Sequence, residues 1–302
     1  MELRHYRYFV ALAAETQFTR AAARLGIRQP SLSQQMNDLE AEVGVALFRR
    51  SPQGAVLTEA GKVFLDRARS LLAASDLAVS AARRAARGEL GRLRLGFTAS
   101  SIFNPLVSSM IQGFRRAYPD VALELRELNT TYLLAQLEDH SLDAAFVRPG
   151  QVGEDAGAFL LLEAEPLLAA LPDEHRCARS KTINLRDLSD EPLIMLPRVV
   201  GPGLYDVVMA ACRASGFEPT LGQEAPQITS AVNLVAAGLG VSIVPAAIAQ
   251  VKVAGVSYVE FEGQPPVASL ALAWRDVDQP ATLRNLIALA RRGGASTTRR
   301  EA

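Results

Sequence analysis

The feature that most constrains this chain is a pair of short amphipathic segments joined at Gly26. Upstream, FTRAAARL sets Phe18, Ala21, Ala22 and Leu25 on one side at helical spacing. Its three consecutive alanines let a second helix approach closely. Gly26 permits the left-handed backbone that ends a helix. Downstream, QPSLSQQMNDLEAEV carries Pro30 in its first turn, where a missing N–H costs nothing. Leu32, Met36, Leu39 and Val43 form its apolar stripe. The opposite side carries Gln29, Ser31, Ser33, Gln34, Gln35 and Asn37. An ordinary solvated face would carry Glu and Lys instead. Amide side chains pair two-point with adenine, and hydroxyls meet bases or phosphates. The pattern predicts a helix that lies in the DNA major groove, against the plain alternative of a polar surface helix.

The flanks extend this head. Leu3, Tyr6, Phe9, Val10 and Ala13 share one face of a helix over 3–14, and Thr16 is expected at or next to the cap of the next helix. LFRR and AVLT flank Ser51-Pro52-Gln53-Gly54, a hairpin wing whose Arg49 and Arg50 are suited to phosphate or the minor groove. After Thr58, residues 59–88 contain no proline and no glycine between Gly61 and Gly88. A helix of that length spans about 45 Å. Phe64, Leu71, Ala78 and Ala85 recur every seventh residue, with Arg67, Ala74 and Ala81 beside them, as in a coiled-coil seam for dimerisation. Gly88 and Gly91 form a hinge.

Taken together, a leading helix, then AAxxLxxxQPSLSxQ, LExExGxxLFxR and LTxAG resemble the LysR-type family of transcriptional regulators. The likeness is close over residues 1–62, and the MELRHYRYFV opening and LDAAFVR resemble the subgroup controlling aromatic and chloroaromatic acid catabolism. It implies an N-terminal α winged helix-turn-helix (1–58), a linker helix (59–90) and a C-terminal α/β effector-binding domain (91–292). That domain is expected to have the two-subdomain periplasmic-binding-protein-like fold. Subdomain I would hold 92–162 and 268–292, subdomain II 163–267, with crossing strands near 162–166 and 264–268. The tail, 293–302, is polar and expected to be disordered. The DNA contacts implied are Thr19, Arg28, Gln29, Pro30, Ser31, Ser33, Gln34, Arg49, Arg50 and Gln53, the last standing where similar proteins often carry a basic residue.

Beyond residue 92, strand-like and helix-like stretches alternate, which predicts α/β architecture with mostly parallel sheets and a ligand near the strands' C-terminal ends. Ser100 and Thr130 each follow a strand and are expected at helix starts, and Arg148 ends LDAAFVR. A cation beside two helix N-termini suits a carboxylate. Gly203 and Leu204, in the loop RVVGPGLYD, would supply the facing wall. Plain helix capping and a surface salt bridge are the alternatives for these positions.

Charge and composition narrow the classes. Residues 1–92 carry 14 Lys and Arg against 9 Asp and Glu, whereas 93–302 carry 18 against 23, a basic head on an acidic body. No apolar run reaches membrane-spanning length and no signal-peptide layout opens the chain, so it is expected in the cytoplasm. Cys177 and Cys212 are the only cysteines and histidines number 3, so neither a metal site nor a cofactor is expected. No GxSxG or HExxH is present, and no enzyme is expected. A solute-binding protein, an α/β enzyme with a DNA-binding head and an architectural DNA binder are the competing readings. The resemblance implies double-stranded DNA at an interrupted inverted-repeat promoter site, a small-molecule effector, RNA polymerase and a homotetramer built as a dimer of dimers.

Overall fold

The computed structural model describes residues 1–51, 54–150 and 158–292, and its contacts divide the chain into two units, Met1–Arg84 and Ala85–Ala302. In the first, helices α1 (Leu3–Glu15), α2 (Phe18–Leu25) and α3 (Gln29–Val43) precede an antiparallel hairpin, β1 (Phe48–Ser51) and β2 (Gly54–Leu57). Helix α4 (Glu59–Ala86) follows. Phe9, Leu12, Leu32, Met36 and Leu39 meet in one buried core. Gly26 closes α2 in the left-handed region, as its type predicts. Thr16 stands next to the cap of α2 rather than at it. It ends α1 with φ 58°, its carbonyl accepts from Ala55 N–H at 2.6 Å, and Gln17 takes the cap position of α2.

Two motif residues explain how the hairpin is held. The carboxylate of Glu40, from LExExG, accepts from the backbone N–H of Leu47 at 2.7 Å and of Phe48 at 2.8 Å. It therefore ties α3 to the entry of β1. Gly61, from LTxAG, lies so close to Leu47 that an added Cβ would fall 2.1 Å from its carbonyl oxygen. Thr58 Oγ1 accepts from Gly61 N–H at 2.9 Å and donates to Ala46 at 2.8 Å, capping α4 against the hairpin. Phe64 departs from the expected seam. It stacks on Tyr6 at 5.6 Å and meets Phe9 edge-on at 4.9 Å, inside the head's own core. Beyond Ala68, no residue of α4 is fully buried among the described residues, and Leu71, Leu77 and Val79 are exposed.

The second unit runs β3 (Gly91–Phe97), α5 (Pro105–Ala117), β4 (Val121–Glu127), α6 (Thr130–Glu138), β5 (Ala144–Val147), β6 (Ala158–Pro172), β7 (Thr182–Ile183) and β8 (Leu193–Met195). It continues α7 (Pro202–Ala214), β9 (Leu221–Glu224), α8 (Ile228–Ala236), β10 (Ser242–Pro245), β11 (Val256–Phe261), β12 (Val267–Trp274) and α9 (Ala281–Arg292). The main sheet has the order β4-β3-β5-β12-β6-β11-β7, with β10 also on β6. It is mixed rather than mostly parallel, because β12 runs antiparallel to β5 and β6, and β6 runs antiparallel to β10 and β11. Strand β6 changes partners at Pro166–Leu167, from β12 to β10 and β11. The expected crossings at 162–166 and 264–268 fall on β6 and on the approach to β12. The expected disorder of 293–302 lies outside the described residues.

Replacing Glu40 by alanine strips the acceptor from two amides. We expect the head to lose about 1.5–3 kcal/mol, the range for hydrogen bonds to a charged group. The only tryptophan, Trp274, lies in the second unit. Under urea, an early loss of helical circular dichroism with an unmoved tryptophan-fluorescence midpoint is the expected result.

Candidate functional site

Two places gather the chemistry. In the head, the apolar stripe of α3 faces the core and leaves Gln29, Pro30, Ser31 and Gln34 exposed, with Ser33 half-buried. Arg28 is the exposed cap residue of α3, Thr19 is exposed on α2, and Arg49 is exposed on β1. Gln34 donates to Asp38 at 2.8 Å, one turn along. Arg50 belongs to β1, but its side chain, like the whole of Gln53, lies outside the described residues. Gln35 leaves the polar face. Its Oε1 meets His5 Nε2 at 3.0 Å, while His5 Nδ1 accepts from Glu2 N–H at 3.1 Å. The pair knits α1 to α3, and sequence spacing alone grouped Gln35 with the outward amides.

In the second unit, Thr98, Ser100, Thr130, Arg148, Leu204 and Gln227 line a narrow cleft with about 30 Å³ of free volume, the share of a single water. Asn129, Leu196, Val200 and Ile228 complete most of its wall. Ser100 does not start a helix as expected. It sits in a turn in which Thr98 and Ser101 exchange backbone and hydroxyl hydrogen bonds, and Asn104 caps α5 by accepting from Leu106 N–H at 2.9 Å. Thr130 is the first residue of α6, behind Asn129 at the cap position. Gly203 and Leu204 belong to the first turn of α7 rather than to a loop. Gly203 is required there, since a Cβ would lie 2.3 Å from the carbonyl oxygen of Arg148.

Arg148 is only 3% exposed and is neither a free cation nor a surface ion pair. Its Nη2 donates to Glu165 at 2.5 Å, and its Nε donates to Ser100 Oγ at 3.0 Å. Glu165, on β6, also accepts from Asn104 Nδ2 at 3.2 Å and from Ala247 N–H at 2.7 Å. Sequence reasoning missed Glu165 and Asn104. The signal was EAEP within a strongly apolar strand, where an inward carboxylate needs a cation and donors. At the cleft mouth, Thr131 Oγ1 donates to the Val199 carbonyl at 2.7 Å. Nearby, the forked hydrogen bonds of Arg198 hold the Asp206 carboxyl below its usual range. Burial pushes the Cys212 thiol up to about 11, the direction opposite to nucleophile activation. Among the described residues no cluster of His, Cys, Asp and Glu could hold a metal ion, and no helix is long and apolar enough to cross a membrane.

A helix-turn-helix with a winged hairpin, joined in one chain to an α/β body whose narrow cleft gathers hydroxyls, an arginine and helix starts, defines a DNA-binding regulator with a sensory domain. Residues 3–62 match the profile described as "Bacterial regulatory helix-turn-helix protein, lysR family", and 86–295 match "LysR substrate binding domain". The chain belongs to the LysR family of transcriptional regulators, whose members bind small-molecule effectors and are not enzymes. It is 40% identical over 286 residues to the uncharacterized regulator YnfL of Escherichia coli K12, covering 94% of this chain and 96% of that one. It superimposes with a TM-score of 0.83 and 28% identity on full-length CbnR crystallised with its target DNA, covering 97% of this chain and 99% of CbnR. The BenM effector-binding domain with its effector benzoate is 29% identical with a TM-score of 0.59, covering 67% of this chain and 91% of that one.

Replacing Arg148 by alanine leaves Glu165 buried without its cation. The expected cost is about 3–5 kcal/mol in the second unit. Trp274 fluorescence on denaturation checks this, and restoring most of the loss by a second change, Glu165→Gln, is the accompanying expectation.

Proposed function

We propose that this regulator activates genes for the breakdown of an aromatic or related carboxylic acid, and that the acid itself is the effector held in the cleft of the second unit. The observation that carries the reading is the cleft itself. Thr130 is a buried residue there whose hydroxyl has no hydrogen-bond partner among the described residues, beside helix starts that favour an anion. Ser100, Thr130, Arg148, Gly203 and Leu204 are assigned to the effector site, Ser100 and Thr130 touching the ligand and Arg148 orienting Ser100. The likeness to BenM with benzoate supports a carboxylate.

On the DNA side, Gln29, Pro30, Ser31, Ser33 and Gln34 of α3 are assigned to the major groove. Thr19, Arg28 and Arg49 are assigned to the backbone, and Arg50 and Gln53 to the wing's contact. The likeness to CbnR on its target DNA supports this assignment. Exposed Leu71, Leu77 and Val79 on α4, with an apolar groove of Val43, Val45, Leu47 and Val63, support pairing of two heads through α4. Two such dimers form the proposed tetramer on an interrupted inverted repeat, acting in the cytoplasm with RNA polymerase. Residues 1–58, 59–90 and 91–292 are the proposed functional divisions.

Two measurements test the halves separately. Gln29→Ala or Ser33→Ala is expected to reduce discrimination between the upstream promoter fragment and random DNA by about 1–3 kcal/mol in salt-controlled gel shifts. Unchanged discrimination removes α3 from base reading. Thr130→Val is expected to abolish the thermal shift produced by carboxylates while leaving promoter affinity within about threefold, since the hydroxyl is the group being tested.

A further inference from the structure

The cleft's electrostatics narrow its ligand, an inference that rests on the effector reading above. Among the described residues Arg148 is the only charged side chain in its wall, and Glu165 already neutralises it. Most of the guanidinium is engaged as well, with Nε on Ser100 Oγ at 3.0 Å and longer contacts of 3.4 Å from Nη2 to the Ser100 carbonyl and from Nη1 to the Ala268 carbonyl. A carboxylate entering the cleft gains little from a cation whose charge is already met.

The positive potential that remains comes from backbone. Helices α6, α7 and α8 all begin at the cleft, at Asn129, Gly201 and Gln227, and none of the three starts has a side-chain cap. Each start is equivalent to about half an elementary charge. Together they sum to roughly one and a half charges, enough to balance one carboxylate fully and a second only in part. A second observation points to a ligand at the same place. Thr130, 5% exposed, holds a hydroxyl with no partner among the described residues. The half-buried Gln227 amide is likewise unpartnered among them. Between these polar groups the wall is apolar, made by Leu196, Val200, Leu204 and Ile228.

We propose that the cleft takes a compact monocarboxylate with an apolar body and one neutral polar group. The carboxylate sits on the helix starts and accepts from Thr130 Oγ1, and Gln227 reads the neutral group. Gln227 is thereby a specificity-determining residue, and dicarboxylates are disfavoured for want of a second positive site.

The test titrates the full-length protein with two matched series by calorimetry: benzoate, salicylate and phthalate, then isobutyrate, 2-hydroxyisobutyrate and dimethylmalonate. In at least one series the monocarboxylates are expected to bind about tenfold or more tighter than the dicarboxylate, with the hydroxy acid tighter than its parent. Gln227→Leu is expected to weaken the hydroxy acid by about three- to tenfold and leave the parent unchanged. Gln227→Glu, which places a negative charge at the start of α8, is expected to weaken both by about tenfold or more. A dicarboxylate that binds as tightly as its monocarboxylate partners overturns the charge assignment and leaves the effector reading standing. Equal losses of parent and hydroxy acid in Gln227→Leu overturn the role of Gln227. No binding by any of the six acids, with promoter binding intact, overturns the carboxylate-effector reading and this proposal together.

Discussion

The second unit is organised around a buried ion pair. Arg148 follows β5, Glu165 lies on β6 next to the point where that strand changes partners, and the two meet at 2.5 Å. Through Ser100, Asn104 and the Ala247 amide the pair also engages the turn after β3, the cap of α5 and the segment after β10. Such a pair costs more desolvation than most hydrophobic replacements, so its use is better sought in geometry than in stability. Here it sets where Ser100 stands and cancels the one side-chain charge that the described residues bring to the cleft wall. The polarity left to the cleft is that of helix ends and hydroxyls, which are rigid and carry no counter-ion.

The head meets a different constraint. It is too small to orient a hairpin by core packing alone. Three contacts substitute for bulk: Glu40 grips the amides that open β1, Gly61 lets α4 press on Leu47, and Phe64 inserts beside Tyr6 and Phe9. Hairpin, α3 and the start of α4 therefore behave as one body.

How much of this was legible follows from what is local. The stripe Leu32, Met36, Leu39, Val43 identified α3, because a period of 3.6 is written into consecutive residues. The same period misassigned Gln35, which sits at the edge of the polar arc and turns inward only because His5 waits on another helix. Thr16 has the side chain of an N-cap, yet it closes α1, since the two-residue connection leaves room for one left-handed residue that must serve the previous helix. Strand content after residue 91 was readable and strand direction was not. Whether β12 runs with or against β5 is decided by partners more than 100 residues apart. Arg148 was found as a cation at a strand end, but its buried partner was missed because Glu165 lies across a connection whose path no local pattern encodes.

A ligand moves a regulator only if it binds two arrangements unequally. The cleft supplies a source of that inequality on the proposed reading. Its positive potential is the sum of three helix starts, and α6 is hung on β5 and β3 while α8 packs on β6, β8 and β10. The two sets of strands meet along β6. Any opening that parts α6 from α7 and α8 disperses the field and breaks the Thr131–Val199 hydrogen bond across the mouth. An anion is therefore held best when the walls are together, and its binding free energy favours closure directly. A cleft whose charge came from one arginine would keep most of its attraction when open and would transmit less. On this view the neutralisation of Arg148 by Glu165 is what makes the cleft responsive: it removes a charge that would bind without discriminating and leaves a field that is strongest when the three helix starts stand together.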